Sequence, residues 1–422
     1  MKKKILVMIS LAAVLFLAGG CMFVPGSTLE SMFGTGKDSA QGTIITPAVS
    51  GDTVTVSRED YENYQRLKKF SDLADIYDYT VQDFYQEPDT ELMIEYAAQG
   101  MMAALDDPYS FYYSPEAFAQ QQEDDEGKYV GIGVSILNAE PCVISRVFKG
   151  SPAEKAGVLR GDILYRVGEE LYVTLETLDE AVKIMRGEPN TTVDVTFIRN
   201  GEEITFTILR EEVTINQVES TMLDKDIGYI AMYQFAGSVE IEFEKALDEL
   251  VSEGAKGIII DLRDNPGGWV KQAQYIGDLF MDKGEVCYLV YRDGSADHRW
   301  YKTTDGKTDV ALVILVNGMS ASSSEILTGA LRDCADATVV GTTTFGKGIV
   351  QEVLEIGTDG AGCQLTIAQY LSPNGNKVHQ VGITPDIVVE LPEGDTGTYD
   401  FADVEKDIQL KTALDTMKEK LK

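Results

Sequence analysis

Apolar residues recur at helical spacing between 58 and about 118. Leu67, Phe70, Leu73, Ala74 and Tyr77 form one run, and Leu92, Met93, Tyr96, Ala97, Met101 and Leu105 the next. The spacing predicts an N-terminal helical region over 57–118, with the second run stopped at Asp106-Asp107-Pro108 and a polar, acidic linker over 120–128. Between 129 and 212 the pattern shortens. Strands are predicted over 130–137 and 142–148, and Ser151-Pro152 opens a short helix with serine as N-cap and proline at the first helical position. Gly161-Asp162-Ile163-Leu164 turns into a strand, 175–185 reads as an amphipathic helix, and 192–199 and 203–210 pair through the hairpin turn Asn200-Gly201. From 226 to about 391 strands and helices alternate, as in an α/β domain. Strands are predicted over 228–235, 256–262, 310–316, 364–371 and 387–391, and helices over 239–252, 270–281 and 325–332. The runs 256–262 and 310–316 are continuously apolar, as in strands buried on both faces. The tail, 404–421, is a charged amphipathic helix whose apolar members are Ile408, Leu410, Ala413, Leu414, Met417 and Leu421.

A length of 422 residues accommodates two or three domains with cores of their own. The net charge of −33 argues against nucleic acid and anionic lipid as main partners, since both need a basic face. At the start, Lys2, Lys3 and Lys4 precede an apolar run, 5–17, that is shorter than the ~20 residues of a membrane span. Leu17-Ala18-Gly19-Gly20-Cys21 then resembles a bacterial lipoprotein cleavage site, with its leucine one place further from the cysteine than usual. The expectation is a lipoprotein-type signal peptide over 1–21, lipid on Cys21, and a Gly/Ser/Thr-rich flexible tether over 22–56. The protein would then be extracytoplasmic, attached to the cell membrane or secreted; a plain secretory signal and an uncleaved anchor are the alternatives. Cys142, Cys287, Cys334 and Cys363 show no metal-ligand spacing and only His298 and His379 are present, so neither a metal nor a cofactor is expected.

Two local motifs carry chemistry. In Val316-Asn317-Gly318-Met319-Ser320-Ala321-Ser322-Ser323-Ser324-Glu325-Ile326 a buried strand runs through small residues into a helix. A serine there projects from a helix N-terminus beside unpaired backbone N–H groups, which suit half of an oxyanion hole, Ser323 included. The alternative is structural, because Ser322 and Glu325 also fit the capping box S-x-x-E. In Thr344-Phe345-Gly346-Lys347-Gly348-Ile349-Val350-Gln351 a lysine sits among glycines and apolar residues with no carboxylate following it before Glu352. Lysine at its ordinary pKa of ~10.4 is no base at neutral pH, but burial can lower it by roughly 3–5 units. Gln351 is placed to hold the amine without restoring its charge. A third segment, Asp261-Leu262-Arg263-Asp264-Asn265-Pro266-Gly267-Gly268, ends a buried strand in a glycine turn; Gly267 or Gly268 is the candidate for the other half of the oxyanion hole. Its structural alternative is a plain αβ turn held by Arg263 and Asp264.

The module at 129–212 resembles a PDZ domain through Gly131-Ile132-Gly133-Val134, Ser151-Pro152-Ala153, Ala156-Gly157-Val158 and Gly161-Asp162-Ile163-Leu164. From Ala97 to the tail, the three chemical segments together with Leu105-Asp106-Asp107-Pro108-Tyr109-Ser110 and Gly382-Ile383-Thr384-Pro385-Asp386 resemble the carboxy-terminal processing peptidases, or tail-specific proteases. The resemblance implies an α/β protease domain of the ClpP/crotonase-like type over 213–395, followed by a C-terminal helix over 396–422. It also implies a serine endopeptidase with Ser322 as nucleophile, Lys347 as base and Gln351 as its support, and Ser320 and Ser323 as decoys to exclude. Substrates would be proteins or peptides with free C-termini, taken up on the Gly131–Val134 backbone by strand addition. Arg186, at the end of the module's long helix, is a candidate link between tail binding and the Ser322 site. Its alternative is a solvated arginine that favours the helix dipole. Pairing of two copies through the terminal helices stays open. The rival readings are an inactive PDZ scaffold on the same fold and an acyl-transfer enzyme.

Overall fold

In the computed structural model, residues 57–137, 139–297, 301–304, 307–391 and 404–422 are described; Cys21, the segment 22–56 and His298 lie outside them. Helices α1 (Arg58–Leu67), α2 (Ser71–Asp83) and α3 (Thr90–Ala103) open the chain, with Ser57 and Asp89 capping α1 and α3. None of their residues is buried. Their apolar faces form as predicted but are left in solvent, with Leu67, Tyr79 and Tyr96 each more than half exposed. Strand β1 (Phe111–Tyr113) follows. Helix α4 (Pro115–Glu126) then replaces the linker expected over 120–128. The reason is local. Ser114 caps the helix, Pro115 starts it, Phe118 is buried, and Gly127 ends it in the left-handed region at φ 67°. Its acidic run belongs to this helix, with Glu123 and Glu126 exposed and Asp124 and Asp125 half-buried.

The PDZ-like module holds β2 (Lys128–Gly131), β3 (Val134–Ile136), β4 (Ile144–Val147), α5 (Pro152–Ala156), β5 (Ile163–Val167), β6 (Leu171–Tyr172), α6 (Leu178–Met185), β7 (Thr192–Arg199), β8 (Glu202–Leu209) and β9 (Glu211–Thr214). The single strand expected over 130–137 is broken at Gly133, which has φ 88° and no space for a side chain: a Cβ there would lie 2.3 Å from Ser151 Cβ. So β2 pairs with β9 and β3 with β4, while β6-β5-β7-β8 form the main sheet. Ile132, Ile144, Leu164, Met185, Val195 and Phe197 belong to the module's own core.

The α/β domain is built on a six-stranded sheet of β10 (Val218–Asp224), β11 (Ile227–Met232), β12 (Gly257–Asp261), β15 (Ala311–Val316), β16 (Thr338–Gly341) and β19 (Ile387–Val388), in that order. All neighbours are parallel except β10 and β11. The apolar runs of β12 and β15 are buried on both faces, as their composition predicts. Ile258, Ile260 and Ile314 face α7 (Val239–Ser252), α8 (Val270–Asp278) and α9 (Ser323–Cys334). Ile259, Val313 and Leu315 face Leu410, Ala413 and Met417 of α10 (Ile408–Lys420). A second sheet joins β1, β13 (Tyr288–Tyr291), β14 (Ala296–Asp297), β17 (Ile349–Ile356) and β18 (Ala361–Leu371). In it β1 pairs antiparallel with β18, which stitches the N-terminal region into the α/β domain.

Candidate active site

Strand β15 delivers the chain into a loop of four serines whose hydroxyls meet different fates. Ser320 Oγ donates to the Leu262 carbonyl at 2.7 Å, Ser323 Oγ to Gly268 O at 2.8 Å and Ser324 Oγ to Asn265 O at 2.9 Å. Three serines therefore bolt this loop to the 262–268 turn. Ser322 is fully buried and forms the capping box its sequence offers, its side chain facing the Glu325 N–H, yet its Oγ makes no hydrogen bond of good geometry. Its backbone is also strained, at φ 60° and ψ −117°. An unsatisfied buried hydroxyl costs about 1–3 kcal/mol and a non-glycine residue in such a region about as much again. The surrounding bolts over-determine the loop and hold that cost in place.

Glu325, the N3 residue of α9, organises the site. Its carboxylate accepts the Ser322 N–H at 2.9 Å, the Gly346 N–H at 2.7 Å, the Lys347 N–H at 2.8 Å and the Thr344 hydroxyl at 2.5 Å. The backbones of Ser322 and Lys347 thus converge on one carboxylate oxygen, Oε2. Burial pushes the Glu325 carboxyl up, against the pull of these four donors. From sequence Glu325 reads only as a capping partner; its contacts to 344–347 cross a separation that no local pattern reveals.

Lys347 is 2% exposed, and its Nζ lies 4.6 Å from the centroid of the Tyr109 ring. The glycines beside it are obligatory. Gly346 has φ 88°, and a Cβ on Gly348 would lie 2.2 Å from the His379 nitrogen. Between Val350 and Gln351 the pairing with β18 shifts register, with Ile367 as the extra residue of β18, and Ile349 to Glu352 are all buried. Gln351 donates through Nε2 to Thr366 Oγ1 at 3.1 Å, while its Oε1 is buried without a partner.

The glycine turn lies against the serine loop. Gly267 and Gly268 have φ 98° and 140°. A Cβ on Gly267 would lie 2.7 Å from Ser322 Cβ and 2.9 Å from Ser323 N. A Cβ on Gly268 would lie 1.9 Å from Phe235 O. The Gly267 N–H donates to Asn265 Oδ1 at 2.9 Å, and Asn265, fully buried, donates in turn to Met232 O. Arg263 takes the structural role offered as the alternative for this turn. It is buried between Asp261 and Asp407, with Nη2 2.6 Å and 2.7 Å from their Oδ2 atoms. Asp264 accepts from the Asn317 side chain at 2.8 Å, linking turn to loop once more.

In the PDZ-like module, Ile132 and Val134 line a groove of about 190 Å³ with Tyr129, Ile136, Val182 and Met185. Gly131 and Gly133, the other two residues of the expected binding segment, are not among its lining residues. Arg186 is at its end, 3.3 Å from Asp124 of α4 and stacked 4.9 Å from the Tyr129 ring centroid. Its contacts therefore run to the connecting helix. Beside Lys347 a larger cleft of about 870 Å³ is lined by Tyr109, Phe345, Ile349 and Ala368, with Arg292 and His379.

Compared with known proteins, residues 226–389 match peptidase family S41, 143–199 a PDZ domain and 33–117 the N-terminal domain of the activating protease CtpB. The chain is 35% identical over 349 residues to the carboxy-terminal processing protease CtpA of Bacillus subtilis, covering 78% of this chain and 74% of that one. To the carboxyl-terminal-processing protease of Synechocystis it is 36% identical over 332 residues, 76% of each. A crystal structure from Bacteroides fragilis, described as an S41 protease, superposes with a TM-score of 0.54 at 17% identity over 80% of this chain and 91% of that one, a likeness of fold.

Proposed function

Since the chain belongs to the carboxy-terminal processing proteases of peptidase family S41, serine-type peptidases here carrying a PDZ domain, we propose that Ser322 is its nucleophile and Lys347 its general base. The observation that carries this reading is the Ser322 hydroxyl: buried, strained and without a hydrogen bond of good geometry, beside three serines whose hydroxyls are all engaged. In the reaction the neutral Lys347 amine takes the Oγ proton as Oγ attacks the scissile carbonyl. The tetrahedral oxyanion is held by the backbone N–H groups of Ser323 and Gly268, since the Gly267 N–H is already taken by Asn265 Oδ1. The ammonium then protonates the leaving amine and the acyl-enzyme forms. Water, deprotonated by Lys347, releases the acid and regenerates Ser322. During the reaction the Gln351 Oε1, which has no partner in this structure, accepts from the Lys347 amine and orients it.

The groove between β3 and α6 takes the free C-terminus of a substrate, with the carboxylate on the Gly131–Val134 backbone. Arg186 couples that occupancy to the protease through Asp124 and Tyr129. The exposed apolar faces of α1 to α3 pair with those of a second copy. Lipid on Cys21 tethers the protein outside the cytoplasm, and Cys21→Ser would release it from membranes. The dyad is tested by Ser322→Ala and Lys347→Ala. Each is expected to abolish cleavage of an unstructured protein while leaving the thermal melt in place, and the double substitution adds nothing further because the two act as a unit. Normal turnover by either folded variant would overturn the assignment.

A further inference from the structure

The turn Asp106-Asp107-Pro108-Tyr109-Ser110 is remote from Lys347 in sequence and is built to hold one ring beside it. Asp107 accepts the Tyr109 N–H at 3.2 Å and the Ser110 hydroxyl at 2.6 Å. The Tyr109 carbonyl accepts from Gln364 Nε2 at 2.9 Å, and the Ser110 Oγ accepts the Thr366 N–H at 2.9 Å. Thr366 is the residue that also receives the Gln351 side chain, so turn, β18 and β17 are one network. With its backbone fixed at these points, Tyr109 lays its ring 4.6 Å from Lys347 Nζ. The same residue lines the cleft of about 870 Å³, whereas Lys347 and Ser322 are 2% and 0% exposed. The ring therefore lines the cleft on one side and meets Lys347 on the other.

We propose that this cleft receives the substrate polypeptide and that Tyr109 is a positioning residue, a door that keeps the dyad closed until the chain is seated. The lining fits an extended peptide with apolar side chains. Phe345, Ile349, Val290 and Ala368 supply apolar surface, and Arg292, Asp107 and His379 supply polar groups at its edges. Phe345 is 47% exposed, as a residue awaiting a partner would be. Because the anchors of the turn are backbone atoms and the Asp107 and Ser110 side chains, the ring can rotate about its own side-chain bonds without unmaking the turn. A seated chain that replaces the ring's contact opens the path to Lys347 and Ser322.

The inference rests on the Ser322–Lys347 reading, and its test separates the two. The full-length protein, without peptide, is treated with a fluorophosphonate probe and, separately, with trinitrobenzenesulfonate, and the rates of modification at Ser322 and Lys347 are read by peptide mass mapping. Tyr109→Ala is expected to raise both rates by about tenfold or more, as removal of a gating group does, while Tyr109→Phe matches wild type. The same Ala variant should hydrolyse a small ester faster and lose discrimination in favour of long peptides. Equal labelling in wild type and a folded Tyr109→Ala overturns the door, even where Lys347→Ala is inactive. Retained activity in Lys347→Ala overturns the dyad instead. Faster labelling of distant lysines in Tyr109→Ala would mean general loosening and would also count against the proposal.

Discussion

At the scale of single residues, the serine loop separates one hydroxyl from its neighbours by what each is bonded to. Glu325 is the second decisive residue, since four donors from two distant segments converge on it. Glu325→Ala would strand those donors in a buried site, at about 1–3 kcal/mol apiece before relaxation. The expected outcome is a kcat/KM reduced by about a hundredfold or more together with a lower melting temperature. Activity within twofold of wild type would show that the two loops hold their geometry without it. For the base, only the neutral amine can accept the Ser322 proton, so kcat/KM is expected to rise from about pH 6 to about pH 9. A rate that falls steadily across that range in the folded enzyme would count against a lysine base.

Among elements, α4 and α10 do more than their composition announces. Helix α4 carries Asp124, which meets Arg186, and Asp125, whose carbonyl accepts the Gly237 N–H of the α/β domain at 2.9 Å. Burial pushes the Asp125 carboxyl up to about 7, with Gln121 pulling it down and Asp124 pushing it further. A carboxyl raised on folding favours the folded state most below its ordinary value, about 3.9, and that contribution is lost as pH rises through about 7. Thermal melts should therefore decline between about pH 4 and about pH 7, and Asp125→Asn should flatten the decline. An identical pH dependence in the Asn variant would remove Asp125 as its source. Helix α10 is tied to the sheet by Asp407, which caps it through the Gln409 and Leu410 N–H groups and also pairs with Arg263. Replacing Arg263 by Met leaves Asp261 and Asp407 buried and facing each other. Breaking such a pair typically costs about 3–5 kcal/mol, which chemical denaturation would read directly. A loss under about 1 kcal/mol would mean that the carboxylates find other partners.

On the scale of the whole molecule, the parallel sheet places the ends of β12 and β15 side by side, which brings the glycine turn to the serine loop. The second sheet brings in Gln351 from β17 and, through β1, the turn that bears Tyr109. The PDZ groove is joined to this assembly through Arg186 and α4. Two substrates that differ only in a free or amidated C-terminus should be cleaved at different kcat/KM, with the free tail favoured. Arg186→Ala should erase that preference without weakening peptide binding, as a coupling residue would. Equal rates on the two substrates would show that the tail is not what the groove reads.

Much of this was legible in order along the chain. Continuous apolar runs announced strands buried on both faces, and Ser322, Lys347, Gln351 and the Gly267-Gly268 turn stood in motifs whose chemistry is local. These features depend on neighbours within a few residues, where periodicity and capping rules act. Helix α4 reads as a linker over its second half because 120–126 is an uninterrupted polar run ending in four acidic residues, although the Ser114-Pro115 start is present in the sequence. The apolar faces of α1 to α3 were legible as faces, but their exposure was not, since burial depends on what packs against them. Only the tertiary structure showed which serine hydroxyls are engaged, that Glu325 joins Ser322 to Lys347, that Arg263 is locked to Asp407, and that Tyr109 covers the lysine. Each of these is a contact between segments distant in the chain. A single sequence specifies the groups that can bond and the elements that carry them; sheet order and register decide which of them meet.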